Sequence, residues 1–148
     1  MVEALSRLSA AGLYERLTSG FPVDPKALED SRYLGTSLGL PAFVDRMVWK
    51  TFEKTFHHDD GHLRGWNVRL DQTTNEARLR RGVPLTFGHY TVHNEGHRLL
   101  LDYGLLTDPV VALVEDEVDW LFGRSLIGSL PTPSYFVLQR RGPLVYVP

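Results

Sequence analysis

Residues 81–104 hold three of the chain's six histidines, His89, His93 and His97, together with Asp102, Tyr90 and Tyr103. Imidazole and carboxylate groups on pairing strands can exchange protons near neutral pH, and a phenol beside them can hold a developing charge. The segment from Phe87 to Tyr103 reads as a β-hairpin, with Asn94-Glu95-Gly96 as a three-residue loop and Gly96 left-handed. This register pairs His93 with His97, Thr91 with Leu99, His89 with Leu101 and Phe87 with Tyr103. Facing Cβ atoms lie roughly 5 Å apart, within reach of a shared metal ion. Two imidazoles at a hairpin mouth are more often solvated, however, and no metal site is assigned. His89 shares a face with Phe87, Leu99, Leu101 and Tyr103, which predicts that it points into a core. Asp102 falls on the other face with Tyr90, Val92 and Leu100, where it needs water or a partner such as Arg124 or Arg81. A bulge at Gly88 or Gly96 would reverse these faces.

A second group, His57-His58-Asp59-Asp60-Gly61-His62, is dense in imidazole and carboxylate. Neighbouring residues of a turn diverge and fix no ligand geometry, so it reads as a solvated loop. An axial haem ligand from His89, His57 or His58 is a minor alternative. Arg78, Arg80, Arg81, Arg140 and Arg141 read as a charged outer face, the alternative being a site for an anionic head group. No phosphate loop, nucleophile elbow or zinc signature occurs.

The chain that must position these groups has 148 residues, 43% hydrophobic and 23% charged, enough for one domain with a real core. A net charge of −2 gives no electrostatic case for nucleic acid or an acidic membrane surface. The absence of cysteine excludes disulfides, thiolate metal sites and a cysteine nucleophile, and fits a reducing cytoplasm. Met1 to Arg7 lacks the basic region and apolar run of a secretory leader, and no apolar stretch approaches the roughly 18 residues of a membrane span. The expectation is a soluble, cytoplasmic single domain over 1–148.

Residues 2–18 space Val2, Leu5, Leu8, Leu13 and Leu17 as one or two short helices, and Asp24-Pro25 opens a further helical turn. These make an N-terminal helical segment over 1–31. Arg32 to Leu40 reads as a first strand, residues 41–46 as a short helix and 47–57 as a strand. Trp66, Val68 and Leu70 alternate on one face of the next strand, Ala77 to Arg81 follow a turn, and the hairpin comes after. Asp108-Pro109 reads as a breaker before strands near 110–115, 118–127 and 134–141. Turn signals about every ten residues point to an antiparallel barrel or sandwich over 32–148.

The runs Gly35-Thr36-Ser37-Leu38-Gly39 and Trp49-Lys50-Thr51-Phe52-Glu53-Lys54-Thr55-Phe56 resemble a GXWXG-type domain with its aromatic and basic strand. Arg81-Gly82-Val83-Pro84, Leu100 to Tyr103, Leu121 to Arg124 and Tyr135 to Arg140 are similar to the uncharacterised domain that commonly follows it. The likeness spans residues 25–141, with Ser37 standing where the family has tryptophan. It implies a calycin-like barrel and leaves the chemistry open.

The fold expected is therefore mainly β, an antiparallel calycin-like β-barrel with short N-terminal helices. Small barrels enclose room for one ligand. The leading functional expectation is binding of a small, largely apolar molecule by some of Trp49, Phe87, His89, Leu101, Tyr103, Phe122 and Tyr135, without a cofactor. The alternative is a cofactor-free acid/base enzyme, an isomerase or cyclase, with His89 and Asp102 exchanging protons and Tyr103 or Arg124 holding an oxyanion. A third reading is an interaction module that forms a homodimer through an edge strand or the C-terminal tail.

Overall fold

A computed structural model of the chain describes residues 1–39 and 50–148. Helices α1 (Val2–Ser6) and α2 (Ala10–Ser19) precede a single 3-10 turn at Pro25–Leu28. The strands that follow are β1 (Ser31–Leu38), β2 (Thr51–Asp59), β3 (His62–Val68), β4 (Leu79–Arg80), β5 (Val83–Pro84) and β6 (Thr86–Glu95), then β7 (Arg98–Asp102), β8 (Leu106–Ala112), β9 (Trp120–Ile127) and β10 (Leu130–Pro143). Eight of them close into an antiparallel barrel in the order β1-β10-β9-β8-β7-β6-β3-β2, and β4 and β5 pair separately. Closure leaves no sheet edge in the barrel. No helix among the described residues is long and apolar enough to cross a membrane.

Local chemistry starts the helices where the sequence signals them. Ser9 caps α2 by accepting the Gly12 N–H at 3.1 Å, and Asp24 caps the 3-10 turn by accepting the Lys26 N–H at 3.0 Å. The buried side of the helices, Leu5, Leu13 and Leu17, covers Val111, Phe122, Tyr135 and Val137 on the outer face of β8, β9 and β10. Alternate residues of the same strands, Val110, Ala112, Leu121, Phe136 and Leu138, turn into the lumen beside Tyr33, Phe56, Tyr90, Leu99 and Leu101. These strands are buried on both faces, so their sequence reads as continuous apolar runs. Phe21, which bridges to Ala112, joins Val23 and Leu28 in this interior cluster.

Two features depart from the expected hairpin. The turn is the two residues Gly96-His97, so that Thr91 faces Asp102, His93 faces Leu100 and Glu95 faces Arg98. Gly96 does take a left-handed φ of 61°, but His93 does not face His97. In addition, the β3–β6 register shifts between Gly65 and Asn67, opposite Gly88 with φ 57°. This is a bulge at one of the two positions where it would reverse the faces. Tyr90 consequently turns inward, 3% exposed, while His89 lies on the exposed surface.

Asp108 and Pro109 lie inside β8 rather than in a turn, and the β8–β9 pairing has no direct partners at these two positions. Proline has no N–H to give to a ladder, which explains the gap. The alternation Trp66, Val68, Leu70 is buried as expected, but Trp66 and Val68 lie on the outside of the barrel, beside Ala77, Pro84 and the C-terminal Val145, and Leu70 bridges to Ala77. The expected helix at 41–46 and residues 47–49 of the expected strand lie outside the described residues, and Trp49 with them.

Candidate functional site

Strand β2 sends Phe52, Lys54 and Phe56 into the lumen at the period of two that a strand imposes. Lys54 is thereby placed in an apolar interior, only 3% exposed. A buried ammonium is unfavourable unless its donors find acceptors. Its Nζ donates to Asn67 Oδ1 at 3.0 Å and to the Tyr103 hydroxyl, and lies 3.4 Å from Asp108 Oδ2. The rings of Phe52, Tyr90, Tyr103 and Phe136 surround it at 5.0–5.6 Å from their centroids. Such faces attract a cation that has lost its water.

Each partner is positioned by its own element. Asn67 sits opposite Lys54 in the β2–β3 register. Its amide donates to the Gly88 carbonyl at 3.1 Å and to the Tyr103 hydroxyl at 3.3 Å, so one side chain holds both the bulge and the cluster. Tyr103 leaves β7 just before the turn to β8. Asp108 enters from β8 and lines the same cavity as the Ser125 and Tyr103 hydroxyls, both of which favour its carboxylate form. The cluster is closed upon itself, every cationic donor meeting an acceptor.

Burial sets the proton affinities. It pulls Lys54 below the ordinary lysine range, against the opposing pull of the Asp108 carboxylate. It pushes Asp108 above the ordinary aspartate range, against Lys54 and Ser125. The two shifts bring acid and base closer together, which favours proton transfer between them. Tyr103 and Tyr90 are pushed up by burial and stay neutral.

The cluster lies at one end of a cavity of about 330 Å³, walled by Phe52, Phe87, Leu106 and Phe136, with Ser37, Ser125 and Ser134 between them and Tyr135 at its border. Ser37 contributes only a small side chain to this wall. Leu106 and Phe87 are partly exposed at the mouth, and Leu105, Ile127 and Leu130 continue the exposed apolar surface from Leu106.

The residues singled out from sequence are distributed unevenly around this site. Tyr103 stands at its centre, Phe87 is in its wall, Tyr135 borders it but lies in the outer cluster beneath the helices, and Leu101 packs deeper in the barrel core. Phe122 is not a cavity wall: it faces outward, stacks on Tyr135 at 5.7 Å and is covered by the helices. Arg124 is also apart, donating to the Thr132 carbonyl at 2.7 Å with its guanidinium over Tyr135 at 4.8 Å. His89 does not enter the barrel. It borders a shallow outer hollow with Arg64, Thr91 and Asp102. Asp102 accepts the Gly104 N–H at 2.8 Å and lies 3.7 Å from His93, with neither expected arginine as its partner. His97 instead hydrogen-bonds the Gly20 carbonyl at 2.6 Å, tying the hairpin tip to the end of α2. No group of three or more metal-ligating side chains converges among the described residues.

Lys54, Asn67, Asp108 and Ser125 were not candidates from sequence. A signal existed for Lys54, a lone charge two residues from Phe52 and from Phe56 on one strand face. A similar signal for Asp108, at the spacing of Val110 and Ala112, was masked by the proline that follows it. No family model, curated protein or solved structure gives a significant match to the chain, so the likeness to GXWXG-type domains rests on its short motifs.

Proposed function

We propose that the protein binds a small, largely apolar molecule in the barrel cavity, with one uncharged polar group of that molecule directed at the Lys54–Tyr103–Asp108 cluster. The observation that carries this reading is a fully hydrogen-bonded polar cluster at the inner end of an otherwise apolar, open-mouthed cavity. Ligand sites combine apolar walls with a few convergent polar groups in this way. The cavity volume of about 330 Å³ suits a small ligand. The exposed apolar rim from Leu105 to Leu130 suits entry of a poorly hydrated one.

The charge balance argues for an uncharged group. Lys54 and Asp108 compensate each other, and the ammonium has no donor to spare. A carboxylate ligand would have to displace Asp108 and would leave it buried without its counter-charge. The test is a thermal-shift screen of small aromatic and aliphatic alcohols, ketones and aldehydes against the wild type and Leu106→Trp, which plugs the mouth without touching the cluster. Stabilisation of the wild type that disappears in Leu106→Trp supports the reading. No stabilisation by any member, or equal stabilisation of both proteins, overturns it.

A further inference from the structure

Among 16 basic side chains the protein uses 13 arginines and three lysines, Lys26, Lys50 and Lys54. The one at the inner end of the cavity is a lysine. A guanidinium stays charged under all ordinary conditions, whereas an ammonium can give up a proton and become a nucleophile. Stability alone gives no reason for the buried pair, since apolar residues at both Lys54 and Asp108 would fill the same interior without desolvating two charges. The surrounding groups are those that an amine needs in order to react. Asp108 Oδ2 stands 3.4 Å from Nζ as an acceptor for its proton, the Tyr103 hydroxyl is in direct hydrogen-bond contact, and Asn67 Oδ1 at 3.0 Å fixes its direction.

We propose that Lys54 is a covalent site for carbonyl compounds, forming an imine with an aldehyde or ketone held in the barrel cavity. The proposal rests on the cavity being a ligand site and names the ligand's reacting group. Asp108 takes a proton from the ammonium, and the freed lone pair attacks the carbonyl carbon, forming the C–N bond. The carbonyl π electrons move to oxygen, which takes a proton from the Tyr103 hydroxyl. Tyr103 recovers its proton from the nitrogen of the adduct. In the resulting carbinolamine, the proton on Asp108 passes to the hydroxyl, the C–O bond breaks and water leaves as nitrogen forms the C=N bond. The product is a protonated imine beside the Asp108 carboxylate, and nothing is oxidised or reduced. Burial lowers the proton affinity of Lys54 and raises that of Asp108, which eases the first transfer. The rings at 5.0–5.6 Å that face the ammonium also face the iminium cation.

The full chain is incubated with hydrocinnamaldehyde and cyanoborohydride, which reduces an imine to a stable secondary amine, and the adduct is mapped by peptide mass spectrometry. The expected result is one adduct on Lys54, heavier by the mass of the aldehyde less one oxygen. Tyr103→Phe, which keeps the lysine, is expected to trap at least about tenfold more slowly, as loss of a proton-transfer group does. Labelling at Lys26, Lys50 or the N-terminus with Lys54 unmodified overturns the proposal. Hydrocinnamyl alcohol, which lacks the carbonyl, separates the two ideas by thermal shift. Stabilisation by the alcohol without an adduct on Lys54 retains the cavity as a ligand site and removes the imine. Neither stabilisation nor adduct removes both.

Discussion

Lys54 and Asp108 hold their charged ends 3.4 Å apart although they come from β2 and β8, strands on opposite sides of the barrel. Three strands separate them in one direction (β3, β6, β7) and three in the other (β1, β10, β9). The pair therefore crosses the lumen and ties two walls that share no backbone hydrogen bonds. A pair in this position acts on the fold, on the cavity and on the reactivity of the amine together.

Removal of one partner leaves the other as an uncompensated buried charge. Lys54→Met is expected to destabilise the protein by about 3–5 kcal/mol. The double variant Lys54→Met/Asp108→Leu recovers most of that loss, since no charge is then left in the lumen. Urea denaturation of the four proteins in the cycle measures the coupling. Additive losses, with the double variant the least stable, would mean that the two groups do not act as a pair.

Gly88→Ala tests the link between backbone and cluster. A Cβ at this position comes 2.8 Å from Asn67 Nδ2, and the φ of 57° is unfavourable for any residue with a Cβ. The bulge and Asn67 cannot both keep their places. A cost of about 1–3 kcal/mol follows from overpacking and strain, together with weaker ligand stabilisation in the thermal-shift assay. Gly61→Ala is the control for strain alone, because φ is 80° there and nothing lies within 4 Å of the added carbon. Equal ligand response in both variants would sever Asn67 from the site.

Alkaline pH acts on the buried phenols. Tyr33, fully buried with its hydroxyl donating to the Val118 carbonyl at 2.7 Å, has its pKa pushed by burial from 10.0 up to about 12. The fold favours the neutral phenol, so this contribution is whole below pH 10 and is lost as pH rises from 10 to about 12. Its size is at most about 3 kcal/mol. Tyr90 and Tyr103 add to the decline at higher pH. Lys54 has the opposite sign, because the fold disfavours its charged form and is relieved as pH rises through its lowered pKa toward 10.5. Denaturation midpoints across this range should fall less steeply in Tyr33→Phe than in the wild type. Parallel curves would refute the assignment.

His97→Ala removes the hydrogen bond to the Gly20 carbonyl, 2.6 Å long, between the hairpin tip and the end of α2. The expected loss is about 1 kcal/mol, with faster amide exchange confined to α2 and the Phe21–Ala112 bridge. His93→Ala, in the same hairpin but without that link, should leave exchange in α2 unchanged. Equal effects of the two substitutions would assign His97 a general role in the hairpin instead.

Much of the architecture was legible in the chain itself. The leucine spacing of residues 2–18, the Asp24-Pro25 cap and the strand from Arg32 are local matters of propensity and capping, and these elements form where they were read. The strand expected over 47–57 puts Phe52, Lys54 and Phe56 on one face by its period of two, and they do share one face of β2. Which face looks into the barrel is not local information. Trp66 and Val68 show the same alternation yet lie outside, because a residue can be buried by the lumen or by a covering loop, and periodicity is blind to the difference. A single extra residue at Gly88 sent Tyr90 inward and His89 to the surface. A hairpin turn of two residues instead of three moved every cross-strand pair. Lys54 and Asp108 are 54 positions apart in the chain and meet only because the barrel closes. The sequence by itself determined a mainly β fold with capped N-terminal helices. Only the tertiary structure decided which polar groups share the lumen, because closure, register and bulges are set by contacts between distant strands.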